Sequence, residues 1–301
     1  MVAWTANVSM LAMLATRPEL AAPPRPGRLE EALSSRLFLG ISPRLAALPA
    51  VDPPPSLAPW EILHVARRHA RGAVRATWFP AAGAARGAVL LAPPWHARGR
   101  AYFHRRGRIE ALRAAGYHSL TVDLPNFGGS GPPAGYFDRD LGAAADALER
   151  RCPGLPLHFW GVSSGGYWGH PLLAAEARFA GAMFEDVSPH LLEWAWRLAP
   201  RGRPCYLLFR MLFRRGYRFL DARRQAAASR AARTAYAAGG ADPGIPAADS
   251  VELARRAGGE LVLVPGAGHL EAIKRAGPAV LDLALATFAA AGGIANRRSR
   301  R

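Results

Sequence analysis

From Ile62 onward, short apolar runs alternate with segments of helical spacing. Gly87–Ala92 is a continuous apolar run of strand length, which is typical of a strand buried on both faces. Arg105–Ala115 has apolar residues at helical spacing, and Gly116 is suited to end such a helix. Further predicted strands are a two-stranded ribbon at 62–79, then His118–Leu124, Leu157–Gly161 and Ala180–Asp186, and further predicted helices are Asp138–Arg151 and Tyr167–Ala177. This alternation predicts an α/β fold with a mostly parallel central sheet flanked by helices.

The alternation stops at residue 188. Residues 188–232 are rich in aromatic side chains on what looks like continuous helix, interrupted by Pro200 and Pro204. Strand pattern then returns, and the remaining predicted elements are strands at Thr234–Ala238 and Glu260–Val264 and a last helix at Pro278–Ala289. The interruption predicts a helical cap inserted into the α/β core.

The segment before the alternation is dense in proline, and only Leu29–Leu39 within it has helical pattern. We expect an extended leader that lies on the domain or is partly disordered. The predicted organisation is a leader at 1–61, an α/β core at 62–187 and 233–293, a helical cap at 188–232 and a basic tail at 294–301.

The chain of 301 residues has a formal net charge of +17, yet Lys274 is its single lysine among 39 basic residues. Such an arginine bias beside so much alanine, glycine and proline indicates a GC-rich coding habit, so we expect no nucleic-acid partner. The basic residues are scattered apart from residues 197–224 and the tail. Nothing in this pattern indicates an oligomeric state.

Tyr206–Leu220 is the segment where the positive charge takes on a pattern. Arg210, Arg214 and Arg218 recur at every fourth position, with Leu and Phe residues on neighbouring faces. A basic amphipathic helix of this kind can lie on anionic lipid, so membrane-surface contact through the cap is one hypothesis. The simpler interpretation is a cap helix that buries one side.

Other features of the sequence are uninformative about partners. Cys152 and Cys205 make no disulfide framework and lack metal-ligand spacing, so we expect no metal and no organic cofactor. The apolar run Val2–Ala15 has no Lys or Arg before it and is too short to span a bilayer. We therefore expect a cytoplasmic protein.

The motif Gly161-x-Ser163-x-Gly165 lies between a predicted strand and a predicted helix. A serine on so tight a turn needs small neighbours, because a side chain two residues away on either side would collide with the turn. Ser163 is therefore the candidate nucleophile. A serine hydroxyl is a weak nucleophile until a base removes its proton, so a base must lie nearby.

His269 is the candidate base. It lies in a glycine-rich loop after the strand Glu260–Val264 and before a helical segment. The loop begins at the carboxyl edge of the predicted sheet, from which the imidazole could reach Ser163. The order of nucleophile before histidine fits Ser…Asp…His connectivity.

Two aspartates compete for the role of the acid that orients this histidine. Asp242 lies in a loop after the strand Thr234–Ala238, and Asp186 ends the earlier strand Ala180–Asp186. We favour Asp242, and Asp186 stays open as the alternative.

A tetrahedral intermediate also needs hydrogen-bond donors for its oxyanion. One is the amide of Ser164, directly after the nucleophile. The other should come from the loop after Gly87–Ala92, where Pro93 and Pro94 have no N–H. The amide of Trp95 is therefore the first donor available.

Three segments resemble the α/β-hydrolase family, and they occur in the family's order over residues 62–290. Gly116–Ser130 is similar to its G-Y-x-V-x-x-x-D-x-x-G-x-G-x-S stretch, Ala238–Ser250 to its D-x-x-x-P segment and Val264–His269 to its histidine loop. The resemblance implies an α/β-hydrolase fold with a cap, a Ser163–Asp242–His269 triad, and oxyanion donors at Trp95 and Ser164.

The function predicted from this site is a serine hydrolase that cleaves a carboxylic ester of a small-molecule acyl substrate through an acyl-enzyme. An acyltransferase that uses the same site and a non-catalytic binding protein of the same fold are the alternatives.

Overall fold

The computed structural model describes residues 9–11, 21–40, 51–95, 98–125, 127–130, 135–198 and 203–299. Within them nine strands form one sheet: β1 (Ser9–Leu11), β2 (Glu61–Ala66), β3 (Ala73–Phe79), β4 (Gly87–Ala92), β5 (Tyr117–Val122), β6 (Leu157–Val162), β7 (Phe179–Glu185), β8 (Arg233–Gly239) and β9 (Glu260–Val264). The strand order is β1-β9-β8-β7-β6-β4-β5-β3-β2. Neighbouring strands from β9 to β5 are parallel, whereas β1, β2 and β3 pair antiparallel with their neighbours. The predicted mostly parallel sheet is confirmed.

Helices cover both faces of this sheet. They are α1 (Arg28–Gly40), α2 (Arg108–Ala114), α3 (Asp138–Arg151), α4 (Ser164–Ala175), α5 (Leu191–Leu198), α6 (Arg203–Leu212), α7 (Arg214–Phe219), α8 (Ala222–Ala227), α9 (Ala247–Ala257) and α10 (Ala272–Ser299). One hydrophobic core joins the sheet to α3, α4, α8 and α9, and the other joins it to α2 and α10. Strands β4, β6 and β7 are buried along their whole length, which explains why their sequences are mostly apolar, with His158 and Glu185 as the exceptions.

The chain reverses its direction across the sheet between β4 and β6. These two strands are neighbours, although β5 lies between them in the sequence and pairs with the other side of β4. In open parallel sheets, ligands bind in the crevice at the carboxyl ends of the strands where the order reverses. The loops after β4 and β6 therefore flank the expected site.

Several helix boundaries differ from the sequence-based expectations. Helix α9 was not predicted from the sequence. It is rich in alanine and follows a glycine-rich loop, and both features resemble irregular structure. The last helix begins at Ala272 rather than Pro278, with a non-helical break at Ala276. It continues to Ser299, so residues 294–299 of the predicted basic tail are helical.

The segment predicted as a cap consists of four short helices, α5 to α8, within the residues described. The continuous helix predicted for Tyr206–Leu220 was wrong, because Phe213 leaves the helical conformation with φ −117° and ψ 56°. Arg210 therefore lies on α6, whereas Arg214 and Arg218 lie on α7. The predicted single stripe of arginines is split between two helices.

The segment Ala272–Ile294 of α10 is long and apolar enough to cross a membrane by length and composition alone. Its contacts are those of a core helix, since it packs against β7, β8 and β9. Val280, Ala284, Phe288 and Ala291 are fully buried within the core on that side of the sheet.

Helix α1 attaches the leader to the α/β core through buried polar contacts. The Glu31 carboxylate accepts the amide of Tyr136 at 2.9 Å and pairs with Arg25 and Arg139. Ser34 Oγ lies 2.8 Å from the Tyr136 hydroxyl. Arg25 also pairs with Asp138, which is buried at the start of α3. At least this part of the leader lies on the domain.

Because Asp138 is buried, its pKa rises to about 7, even though Arg25 and Arg139 attract the charged form. The unfolded chain ionises near the ordinary aspartate value, so this group stabilises the fold at low pH. That stabilisation declines as pH rises from about 4 to about 7. We expect Asp138→Asn to gain about 4 °C in Tm relative to the parent protein over that range, measured by thermal melts at a series of pH values.

Asp146 is the matched control for this experiment. Its burial opposes ionisation, but hydrogen bonds from Arg68 and Arg178 hold its pKa below the usual value. Asp146→Asn should therefore lose stability relative to the parent protein as pH rises through the acidic range. A Tm difference for Asp138→Asn that stays constant with pH would contradict the assignment.

Candidate active site

Ser163 occupies a sharp turn between the end of β6 and the start of α4, and we call this turn the elbow. Its backbone has φ 48° and ψ −116°, a conformation that L-residues rarely adopt. A Cβ on Gly161 would lie 2.4 Å from the Cα of Gly166, and one on Gly165 would lie 2.2 Å from the carbonyl oxygen of Ala92. Both flanking glycines are therefore required by backbone contacts.

Two main-chain hydrogen bonds hold this turn in place. The amide of Ser163 donates to the carbonyl of Glu185 at 2.8 Å, which ties the turn to the end of β7. The carbonyl of Ser163 accepts the amide of Tyr167 at 2.8 Å and so starts α4. The helix thus begins directly after the serine, three residues earlier than expected from the sequence.

The structure brings Ser163, His269 and Asp242 together from three different loops. Ser163 Oγ lies 3.0 Å from His269 Nε2, and His269 Nδ1 lies 2.7 Å from Asp242 Oδ2. Each loop follows a parallel strand, β6, β9 and β8 respectively, so all three begin at the same edge of the sheet. The histidine side chain is 31% exposed, whereas the Asp242 side chain is 1% exposed. A continuous hydrogen-bond chain therefore joins the hydroxyl to a shielded carboxylate.

Asp242 is held in the charged form by its surroundings. Its burial disfavours ionisation, but the hydrogen bond with His269 and the amide of Ile245 keep its pKa below the usual value. Its Oδ1 accepts the amides of Gly244 at 2.8 Å and Ile245 at 2.9 Å, which leaves Oδ2 for the imidazole. A carboxylate so placed fixes the tautomer of His269 with its proton on Nδ1.

Asp186, the competing acid, has a different set of partners. Its side chain accepts the amide of Gly239 at 2.8 Å and the amide of Leu270 at 2.9 Å. Burial raises its pKa to about 6, although the amide of Gly239 favours the charged form. It has a left-handed φ of 48°, and Leu270 has one of 62°. Asp186 therefore binds the backbone of the histidine loop and not the imidazole ring.

The two segments that carry the predicted oxyanion donors contact each other at the elbow. Ser164 is the first residue of α4 and is buried. Trp95 lies two residues after Pro93, whose carbonyl oxygen would lie 2.4 Å from a Cβ on Gly165. The loop after β4 therefore contacts the first turn of α4. His96, the next donor along the chain, is outside the residues described.

Asp123 anchors the loops around Trp95. Its carboxylate accepts the amide of Arg100 at 2.8 Å and pairs with the same residue's guanidinium. Two glycines approach it so closely that a Cβ on Gly99 or Gly128 would lie within 2.3 Å of a carboxylate oxygen. Asp123 therefore ties the loop at Arg100 to the loop at Gly128.

An aromatic wall extends from the loop after β4 toward the cap. Trp95 stacks on Phe137 at 6.2 Å between ring centroids, and Phe137 contacts Trp168 at 5.2 Å. Tyr136 then contacts Trp168 at 5.5 Å and stacks on Phe219 of α7 at 5.5 Å. Such pairs stabilise beyond their buried area, and every member except Trp95 is buried, so the wall is a rigid part of the hydrophobic core. Sequence reasoning missed Tyr136 and Phe137, whose signal was two adjacent aromatic residues before α3.

A buried ion pair lies under the elbow. Arg108 of α2 donates to both carboxylate oxygens of Glu185, at 3.0 and 2.8 Å, and each side chain is 1% exposed. Trp160 Nε1 donates to the same carboxylate at 2.7 Å. Because the main-chain carbonyl of Glu185 holds Ser163, this pair supports the turn from below. No local sequence pattern predicts this pair, since its partners are 77 residues apart along the chain.

The described residues contain no group of three or more His, Cys, Asp or Glu side chains placed to hold a metal ion.

No family model and no curated protein matches the sequence. Solved structures do match. An esterase of Pyrococcus furiosus superposes with a TM-score of 0.62 at 15% identity, covering 78% of this chain and 94% of that chain. A carboxyl esterase of Bacillus coagulans gives 0.60 at 14% identity over 77% of this chain and 99% of that chain.

The chain has the α/β-hydrolase fold. A puromycin-hydrolyzing peptidase of Mycobacterium tuberculosis gives a TM-score of 0.60 at 19% identity, over 78% of this chain and 39% of that chain. At these identities the likeness shows the fold and not the chemistry of the site.

The ion pair under the elbow of this α/β-hydrolase fold gives a testable stability difference. Removing one partner of a buried pair leaves an uncompensated charge, so Glu185→Ala should lower the free energy of unfolding by about 3 kcal/mol. Glu61 pairs with Arg151 at a site where its side chain is 50% exposed, and Glu61→Ala should cost less than about 1 kcal/mol. Urea denaturation of both variants measures this contrast, and equal costs would contradict it.

Proposed function

We propose that this protein is a serine hydrolase that cleaves the ester bond of a small-molecule acyl substrate. The observation that carries the proposal is the continuous hydrogen-bond chain from Ser163 Oγ through His269 to Asp242, with distances of 3.0 and 2.7 Å. The strained backbone of Ser163 adds support, because strain of this kind is retained where a turn must present a nucleophile.

In the first half of the reaction, Ser163 Oγ attacks the ester carbonyl while His269 Nε2 accepts its proton. The imidazolium that forms is stabilised by Asp242, which keeps its negative charge throughout. The amides of Ser164 and Trp95 are the proposed donors to the oxyanion, each worth about 3 kcal/mol in the transition state. Collapse of the intermediate passes the proton from His269 to the leaving alcohol and leaves an acyl-enzyme.

In the second half, His269 removes a proton from water, which attacks the acyl group on Ser163. The second tetrahedral intermediate uses the same oxyanion donors, and its collapse returns the proton to Ser163 Oγ. The exposed side of His269 gives water access to the imidazole. Trp95, the partly exposed end of the aromatic wall, lies beside this edge of the sheet, which favours an apolar acyl or aryl group.

Ser163→Ala tests the nucleophile. We expect loss of covalent labelling by a fluorophosphonate and a fall in kcat of about 10³-fold or more on aryl esters, because no other group replaces the attacking oxygen. The matched control is Ser56→Ala, since Ser56 is an exposed serine in the 3₁₀ turn Pro55–Leu57 before β2. Undiminished labelling of Ser163→Ala, or an unlabelled and folded parent protein, would contradict the proposal.

A second pair of variants separates the two aspartates. Asp242→Asn should lower kcat by about 10³- to 10⁴-fold, because an amide cannot stabilise the imidazolium and can favour the wrong tautomer. Asp186→Asn retains one acceptor for the two amides of Gly239 and Leu270, so its kcat should fall by about tenfold or less. Steady-state kinetics on one ester substrate compares them, and the reverse ranking would assign the acid to Asp186.

A further inference from the structure

Helix α6 of the cap exposes an apolar face. Leu207, Leu208, Met211 and Leu212 are 48%, 47%, 71% and 62% exposed, respectively. Their spacing places them on one side of the helix, and we name these four residues the α6 apolar face. Exposed apolar side chains that occur singly need no explanation, but four of them on one helix face mark an interaction surface.

The opposite side of α6 is firmly attached to the protein. Phe209 is 2% exposed and packs against Phe213, with ring centroids 5.2 Å apart. The hydroxyl of Tyr206 lies 3.1 Å from that of Tyr217, which joins α6 to α7. The α6 apolar face is therefore the outward side of a helix whose inward side is already packed.

In the sequence around the α6 apolar face, all charged residues are of one sign. Residues 194–220 contain no Asp or Glu and seven arginines, which are Arg197, Arg201, Arg203, Arg210, Arg214, Arg215 and Arg218. Five of these, Arg203, Arg210, Arg214, Arg215 and Arg218, are exposed. Within the described part of the chain, none of these five forms an ion pair with a carboxylate.

Some of these guanidinium groups are positioned by aromatic rings instead. Arg203 lies over Trp196 at 5.0 Å, and Arg210 lies over Tyr217 at 5.7 Å. Such stacking orients the cation without neutralising it, so its charge remains available to an anionic partner.

We propose that the α6 apolar face and its arginines dock on the surface of an anionic phospholipid bilayer. A bilayer of this kind offers both components that the surface lacks, acyl chains for the leucines and Met211 and negative headgroups for the arginines. A second copy of the chain would bring the same unpaired positive charges against them. A nucleic acid would neutralise the arginines but leave the apolar side chains in water.

Vesicle flotation tests this proposal without any reference to catalysis. The full chain is mixed with vesicles of phosphatidylcholine alone or with about one-third phosphatidylserine, at about 0.05 M and 0.5 M salt, where screening differs strongly. We expect flotation with the anionic vesicles at low salt, weaker binding at high salt and little binding to phosphatidylcholine. No binding to either vesicle, or equal binding to both, overturns the proposal.

Two variants assign the binding to this surface. Met211→Glu should weaken partition to anionic vesicles about tenfold. It removes an apolar side chain that would be buried in the bilayer, and it adds a negative charge that anionic headgroups repel. Arg214→Gln should weaken it about fivefold and leave binding to neutral vesicles unchanged. The control is Val51→Glu, since Val51 is 45% exposed and adjoins Asp52, which pairs with Arg75 away from the cap.

Thermal melts of each variant check that it is folded, and these exposed positions should leave Tm nearly unchanged. Equal flotation of Met211→Glu and Val51→Glu would overturn the assignment. A parent protein that is dimeric by analytical ultracentrifugation, with Met211→Glu monomeric, would overturn it in favour of a contact between copies.

Discussion

The close approach of the first turn of α4 to the end of β4 determines the geometry of the whole site. Carbonyl oxygens of Ala92 and Pro93 lie where a side chain on Gly165 would have to be, so the two backbones are in direct contact. That contact requires a sharp reversal at Ser163, and the reversal forces its positive φ. It also places the loop after β4 beside the nucleophile, which is the position that a donor to an oxyanion must occupy. One steric constraint thus connects the nucleophile to the segment proposed to stabilise the charge that its attack would create.

The strained turn at Ser163 is stable only because its surroundings fix its conformation, and a buried ion pair is part of those surroundings. Glu185 fixes the turn through its main chain, while its side chain is neutralised by Arg108 and bonded by Trp160. The next residue, Asp186, reaches the other way and accepts amides from the end of β8 and from the histidine loop. Adjacent residues at the end of β7 therefore hold two of the three loops that meet at the site. Burial of so many polar groups is costly, and hydrogen bonds to nearly all of their atoms offset the cost.

The sheet, the elbow and the histidine could be predicted from the sequence because each has a local signal. Buried strands are continuous apolar runs, the elbow needs glycines at fixed spacing, and His269 follows a strand in a glycine-rich loop. The choice between Asp242 and Asp186 had no local signal, since both follow parallel strands and end at the same edge. The two aspartates differ in whether the backbone amides leave one carboxylate oxygen free for the imidazole. That difference depends on the conformation of the loops. The pairing of Arg108 with Glu185 had no local signal either, because its partners are 77 residues apart in the sequence.

The cap differs from the core in how its charges are arranged. In the core, Arg100, Arg108 and Arg67 each have a carboxylate partner and are buried, so their charge serves the fold. On α6 and α7 the arginines are exposed beside apolar side chains, in a segment from which acidic residues are missing. A genome-wide preference for arginine accounts for the abundance of the residue in both regions. It does not account for the absence of carboxylates from residues 194–220, because the same preference leaves acidic residues throughout the core. The arrangement is therefore specific to the cap. There the exposed arginines of α6 and α7 form no ion pair within the described residues, so they can pair with an external anionic surface.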